Sequence, residues 1–417
     1  MIKGYVLKFL FDLFLDFLLI IFSMIVPKKK GELLFGADLG TLFKGNPKYL
    51  FLYLQGNVDL SPIWITGNRK VVSELSDKQF AVVYKYSIRG FWAILRSEWL
   101  FIDFKPKDVL YLGETTFGRF KFVQTTHGVP FKKGGQFAID EGRGRQLKYN
   151  VFFINSLIKK AKKALVYNFL LANYDMVIAT SEETKKTSEY LFKSNNVTIC
   201  GMPRNDIFFN KRVAWNNLYD QMELSKFSQV ILYAPTYRDN YASVKPFSED
   251  FLVEIDAYLR DTNKVILVKK HPLDSKINLQ DKLTNFKMIT EKVDDIQELL
   301  IHVDLLITDY SSVIFDYSLS KRPFLLFPYD YQEYLKSCRG FIYDYFEELP
   351  GPFAKTENEL MNYIRDVDSW FCSDIYQRKY ESFSTKFNKY QDGHSCKRCL
   401  SHILKYPVSD SAVWRDR

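Results

Sequence analysis

The chain has 417 residues, a formal charge of +9, 47% hydrophobic and 17% aromatic side chains, and few Gly or Pro. That length exceeds one ordinary core and suits two domains, and the composition excludes long disordered tracts. The charge favours polyanionic company, whether nucleic acid, anionic lipid or phosphorylated substrate, and five scattered cysteines exclude a disulfide framework.

The first 30 residues, MIKGYVLKFLFDLFLDFLLIIFSMIVPKKK, predict a helix whose Lys8, Asp12 and Asp16 recur every four positions and share one face. The charge-free stretch from Phe17 to Val26 is far shorter than the roughly 20 residues a bilayer span needs. No cleavage site of a secretory signal follows. A thin charged stripe and a broad Phe/Leu/Ile face, followed by Lys28, Lys29 and Lys30, fit an amphipathic helix lying at a membrane surface.

Strand-like runs follow at Leu33, Ile63, Ala81, Trp99, Lys121 and Asp175, separated by helical stretches. A second series starts at Val230, Lys264, Lys287, Asp304 and Pro323. Apolar strands alternating with helices are what a parallel sheet covered on both faces requires. Two such series predict two doubly wound Rossmann-like lobes, over residues 31–215 and 216–405, with a polar helical connector from Ile207 to Ser228. Between Arg143 and Leu170 lie seven Lys/Arg and no acid, with Lys159, Lys160, Lys162 and Lys163 among aliphatic residues. Such a basic amphipathic segment suits anionic headgroups. The Cys396-x-x-Cys399 pair, with His394 and His402 nearby, sits in a helical pattern and lacks a second cysteine pair, so it reads as structural rather than as a zinc site.

Four segments carry chemistry, each just after a predicted strand, where open α/β sheets bind ligands. In QTTHGVPFKKG, His127 stands at a strand end before Gly128, and an imidazole there can accept a proton near neutral pH. In VILYAPTYRD, Pro235 stops the strand and Thr236 and Arg238 offer a hydroxyl and a guanidinium to phosphate. In ILVKKHP, Lys269, Lys270 and His271 would repel one another without an anion. In LLITDYSSVIFDY, Ser311 and Ser312 read as helix N-cap residues beside free amides, an anion site, and Asp316 lies one turn on, suited to ribose hydroxyls.

Taken in order, LLFGADLG, NPKYLFLYL, THGVP, GMPRND, APTYRD, KKHP, TDYSSVIFDYSLSKRPFLLFPYD and RGFIYDY resemble the CDP-glycerol glycerophosphotransferases of teichoic acid and capsule polymer synthesis, from about Pro27 to Gly393. The resemblance implies a GT-B fold of two facing lobes, an N-terminal acceptor lobe and a C-terminal nucleotide lobe. It implies transfer of polyol phosphate from a CDP-polyol to a lipid-linked, polyprenyl-diphosphate acceptor at the cytoplasmic membrane face. It places CDP-polyol contacts on Thr126, His127, Gly128, Val129 and Pro130, on Arg204, on Pro235 and Thr236, on Lys269, Lys270 and His271, and on Ser311, Ser312 and Asp316, with His127 as base and His271 also catalytic. Val129 replaces the family's commoner Thr, and the tail DGHSCKR departs from DGxASER. No DxD-type carboxylate pair adjoins the phosphate segments, so no cofactor is expected; protein cations could take a metal's part, and a divalent-metal requirement is left open.

Three rival readings remain: CDP-ribitol as donor, a GT-B nucleotide-sugar glycosyltransferase, or a nucleic-acid binder. The last rests on net charge alone and leaves the polar clusters at strand ends unexplained, so no nucleic-acid partner is expected.

Overall fold

The computed structural model describes residues 2–112, 118–141, 174–210, 217–236, 238, 245–270 and 283–404. The basic segment Arg143–Leu170 and His271 lie outside the described residues. The chain forms two compact units. The first comprises Met1–His127, Gly134–Asp206 and Asp392–Arg417; the second comprises Gly128–Lys133 and Ile207–Gln391.

Among its described residues the first unit holds seven strands: β1 (Lys29–Phe35), β2 (Ser61–Thr66), β3 (Val82–Tyr84), β4 (Ser97–Ile102), β5 (Phe122–Gln124), β6 (Met176–Ala179) and β7 (Val197–Ile199). Their order is β3-β2-β1-β4-β5-β6-β7, and every pairing is parallel. The sheet therefore reverses its direction of growth between β1 and β4, the Rossmann switch point. Strand residues such as Leu34, Ile65, Leu100, Ile102 and Val177 are fully or almost fully buried, together with Ile94 and Leu95 of the helix Ile88–Arg96. Just after β1, a Cβ on Gly36 would stand 2.6 Å from the Asp108 carbonyl oxygen, so only glycine fits there. Strand β7 carries no strong signal in the sequence, being three residues after Asn195 and Asn196 of which only Val197 is buried.

The second unit holds β8 (Gln229–Ala234), β9 (Lys264–Val268), β10 (Phe286–Met288), β11 (Leu305–Thr308) and β12 (Phe324–Leu326). Their order is β10-β9-β8-β11-β12, again all parallel, with the switch between β8 and β11. The helices Glu249–Asp261 and Glu357–Arg365 pack Phe251, Ile255, Leu259, Leu360 and Ile364 onto Ile231, Ile266, Leu305 and Leu325.

The N-terminal helix spans Ile2–Ile25 and is docked by its polar stripe. Asp16 accepts hydrogen bonds from the Tyr111 and Leu112 amides at 3.1 and 2.9 Å, and the Ser23 hydroxyl accepts one from the Arg119 amide. Lys8 bonds Asp12 and the Tyr86 hydroxyl. Leu19 joins the core of the first unit. The apolar residues Leu10, Phe11, Phe14, Phe17 and Ile21 are exposed instead. The amphipathic helix is thus inverted relative to an ordinary surface helix, with carboxylates inward and phenylalanines outward.

Further along the chain, two helices run Asp374–Phe387 and Ser395–Ile403. Cys396 and Cys399 are buried in the second of them, and the described residues contain no cluster able to hold a metal ion.

Candidate active site

In the first unit, the end of β5 is tied to two other loops by one side chain. Asn46, in the first turn of the helix Gly45–Tyr53, is fully buried. Its amide nitrogen lies 2.8 Å from both the Thr125 and Thr126 carbonyl oxygens, and its oxygen accepts the Arg204 amide at 3.0 Å. Thr126 has a φ of +53°, a left-handed conformation that a β-branched residue adopts only when its surroundings impose it. Its amide donates to Gln124 Oε1. Next comes His127, exposed, with the Phe104 ring 5.4 Å away edge-on. Arg204 donates from Nη1 to the His127 carbonyl at 2.8 Å. Thr126, His127 and Arg204, separated by up to 78 residues, are therefore brought together. Asp206 closes the group by accepting the Ser395 and Cys396 amides at the start of the last helix. Burial raises the Asp206 pKa, against those same hydrogen bonds.

The chain enters the second unit directly after His127. Val129 and Phe131 are buried there, the Phe131 ring lying 5.4 Å from Phe315. Lys132, which no strand-end position marks out, reaches the Thr236 hydroxyl at 3.4 Å. Gly128 is buried and Pro130 half-buried.

At the switch point between β8 and β11, two turns are locked to each other. The Thr236 amide donates to Asp309 Oδ1 at 2.8 Å, and the Tyr310 amide donates to the same oxygen. Pro235 and Thr236 thereby adjoin the Asp309–Ser312 segment. Arg238 was expected on a phosphate, but its guanidinium is turned inward. Nε and Nη2 form a two-pronged pair with Asp330 at 2.8 and 2.9 Å, and Nη1 donates to the Thr236 carbonyl. Nη2 also stands 2.9 Å from Asp309 Oδ2, a charge contact rather than an aligned hydrogen bond. The spacing of APTYRD cannot reveal this, because Asp330 lies 92 residues further on. Burial would lower the Arg238 pKa, but the charges of Asp309 and Asp330 outweigh it and hold it above its ordinary value. Tyr310 and Tyr345 donate hydroxyl hydrogen bonds to Asp330 and to the Asp309 carbonyl, and burial first, then these carboxylates, raises both tyrosines.

Ser311 and Ser312 are half-exposed, and the helix they precede is only Val313–Tyr317. Ser312 makes no side-chain capping bond, contrary to the N-cap expectation, because its own backbone is already helical; Ser311 accepts the Val313 amide at 3.3 Å. With five residues the helix supplies little dipole, so hydroxyls and turn amides are the donors on offer. Asp316 is only 2% exposed. After β9, the Lys269 ammonium donates to the Val293 carbonyl, and Lys270 is tied through its backbone to Thr290. The structure therefore gathers Thr236, Lys132, Ser311 and Ser312 near one switch point, while the Arg238 guanidinium is turned away from it onto Asp330.

Two Rossmann-order sheets with hydroxyls and cations at the carboxyl ends of their strands define a nucleotide-handling α/β enzyme. Residues 18–405 match the model of the CDP-Glycerol:Poly(glycerophosphate) glycerophosphotransferase family, and the chain belongs to that family of enzymes. It is similar to the teichoic acid glycerol-phosphate transferase of Staphylococcus aureus, 28% identical over 90% of this chain and 93% of that protein. It is also similar to the teichoic acid poly(ribitol-phosphate) polymerase of Bacillus spizizenii, 32% identical over 58% of this chain and 40% of that one. A variant of the wall teichoic acid polymerase TagF, in a structure with CDPG, is 25% identical and superposes with a TM-score of 0.71, over 91% of this chain and 89% of that one.

Proposed function

We propose that the protein transfers glycerol phosphate from CDP-glycerol to a terminal hydroxyl of a lipid-linked acceptor, in teichoic acid or capsular polymer synthesis, within a GT-B arrangement of its two units. The observation that carries the donor half is the pair of turns locked at the β8–β11 switch, Pro235–Thr236 and Asp309–Ser312. Thr236, Ser311 and Ser312 donate to the pyrophosphate, and Lys132, Lys269, Lys270, His271 and Arg204 offset its charge. Asp316 serves the ribose. The acceptor oxygen attacks the glycerol-side phosphorus, its bond to the pyrophosphate bridging oxygen breaks, and CMP departs with the electron pair. His127 takes the acceptor's proton. Alignment and charge neutralisation do most of the work in such transfers.

The same reading seats the enzyme on the cytoplasmic face of an anionic membrane. Each large apolar side chain left exposed forgoes about 1.5–3 kcal/mol of burial, and the outward face of the helix Ile2–Ile25 exposes many. The neighbouring helix Ile88–Arg96 adds exposed Ile88 and Trp92, with exposed Arg89 and Arg96 beside them. No helix among the described residues is long and apolar enough to cross a membrane. An apolar face rimmed by cations is the pairing that surface binding requires.

Purified protein given CDP-glycerol, CDP-ribitol or a nucleotide sugar, with a lipid-linked acceptor, should release CMP from CDP-glycerol and extend the acceptor by glycerol phosphate. Release from CDP-ribitol alone would move the assignment to ribitol, and sugar transfer would overturn it. His127→Ala should lower turnover about 10²–10⁴-fold, and activity within threefold of wild type would remove its role as base.

A further inference from the structure

We propose that Asn46 is a positioning residue for the transfer, its carboxamide fixing the turn that presents His127. The inference rests on His127 being the base. Three features converge on it. Asn46, on the helix Gly45–Tyr53, is fully buried, and the three partners it joins come from the turn after β5 (Thr125 and Thr126) and from the Arg204 segment. Its nitrogen faces two carbonyl oxygens and its oxygen faces an amide, so the amide orientation is fixed by the partners; flipped, it would set oxygen against oxygen twice and nitrogen against an N–H. The carbonyls it holds belong to Thr125 and Thr126, the two residues before His127, and Thr126 is the one in the left-handed conformation. A turn held away from its relaxed geometry needs an external clamp, and Asn46 supplies two of its bonds.

The same cluster also reaches His127 itself. Its ring is exposed beside Phe104, and its carbonyl takes the Arg204 guanidinium, whose backbone amide is again fixed by Asn46. Both ends of the His127 residue are thus referred to one carboxamide. A base must stand within hydrogen-bond reach of the hydroxyl it serves, and a displacement of about 1 Å can cost on the order of 10²-fold in rate.

Asn46→Asp is nearly isosteric, keeps an acceptor for the Arg204 amide and replaces the donor by an oxygen facing both carbonyls. It should lower kcat about 10- to 100-fold while leaving the Kd for CMP within threefold, since CMP binding does not involve the acceptor's proton. The decisive measurement is a double-mutant cycle on turnover. In a His127→Ala background, Asn46→Asp should change the residual rate by less than about twofold, because the group it positions is gone. An equal fold loss in both backgrounds would show a general structural role and overturn the proposal, as would kcat within threefold of wild type or a loss confined to CMP affinity. His127→Ala alone separates the two ideas: near-normal turnover there removes the base and the positioning role with it, whereas a dead His127→Ala beside an active Asn46→Asp removes only the second. If Asn46→Asp does not fold, by thermal melting and CMP binding, Asn46→Ser runs the same cycle without introducing a charge.

Discussion

Replacing Arg238 by Met should destabilise the second unit more than any substitution on its surface. The guanidinium is the shared cation of Asp309, fully buried, and Asp330, 8% exposed. Removing one partner of a buried ion pair costs about 3–5 kcal/mol, because the remaining charge is stranded in a poorly solvated site. Here two carboxylates are stranded, but Tyr310 still donates to Asp330, and the Thr236 and Tyr310 amides still donate to Asp309, so about 4 kcal/mol is expected. For a unit of this size 1 kcal/mol corresponds to about 2–4 °C, which makes the loss in Tm roughly 8–16 °C. Differential scanning calorimetry reads it directly. Adding Asp309→Asn and Asp330→Asn to Arg238→Met should restore much of the Tm. A Tm within about 2 °C of wild type, or no rescue by the two amides, would refute the stranded-charge argument.

Ser312→Ala removes a hydroxyl not spent on capping, so it should weaken CDP-glycerol binding by about 1.5–3 kcal/mol with little change in Tm; a large Tm loss with unchanged affinity would make it structural. Asp316→Ala should weaken CMP binding in calorimetry, and unchanged affinity would end the ribose assignment for this buried carboxylate. Deleting residues 1–26 would strip Leu19 from the core and Asp16 from two amides, so exposed positions give the cleaner membrane test. Phe14→Ser with Phe17→Ser should reduce flotation with anionic vesicles, as should neutralising Lys159, Lys160, Lys162 and Lys163; undiminished flotation of the combined variant would sink the surface-binding model. Burial lowers Lys85 from 10.5 to about 8. The unfolded chain then binds the extra proton between those values, so this group's contribution to stability is full above 10.5 and lost as pH falls through 8, on the order of 3 kcal/mol. Urea unfolding of wild type against Lys85→Met should show that slope, and a flat difference would refute it.

Among the described residues, eleven of twelve strands announce themselves in the sequence because a parallel strand covered on both faces must be an unbroken apolar run, as in Val230–Tyr233 and Leu305–Ile307. The edge strand Val197–Ile199 needs no such run and passes unnoticed. At the site, the strand-end rule finds Thr236, Ser311 and His127, since chain position alone puts them there. It does not find Asn46 or Asp330, whose importance lies in partners 79 and 92 residues away, and it misjudges Arg238 for the same reason. The N-terminal periodicity reveals two faces but not which one turns inward. That is decided by unpaired amides at Tyr111, Leu112 and Arg119, which no periodicity reports.

The Asp206 bond to the last helix has a consequence for how the chain matures on the ribosome. Asp206 and Ser395 are 189 residues apart, and the second unit's entire sheet is made between them. Domains generally fold in the order of their synthesis. Here the unit begun first lacks the helix Ser395–Ile403 until the whole second unit has been made, so Asp206 awaits its amide partners while the second unit can condense. The nascent first unit is then the vulnerable species, and a chain interrupted before Ser395 should be recognised by chaperones or proteases through that unit rather than through the one most recently made.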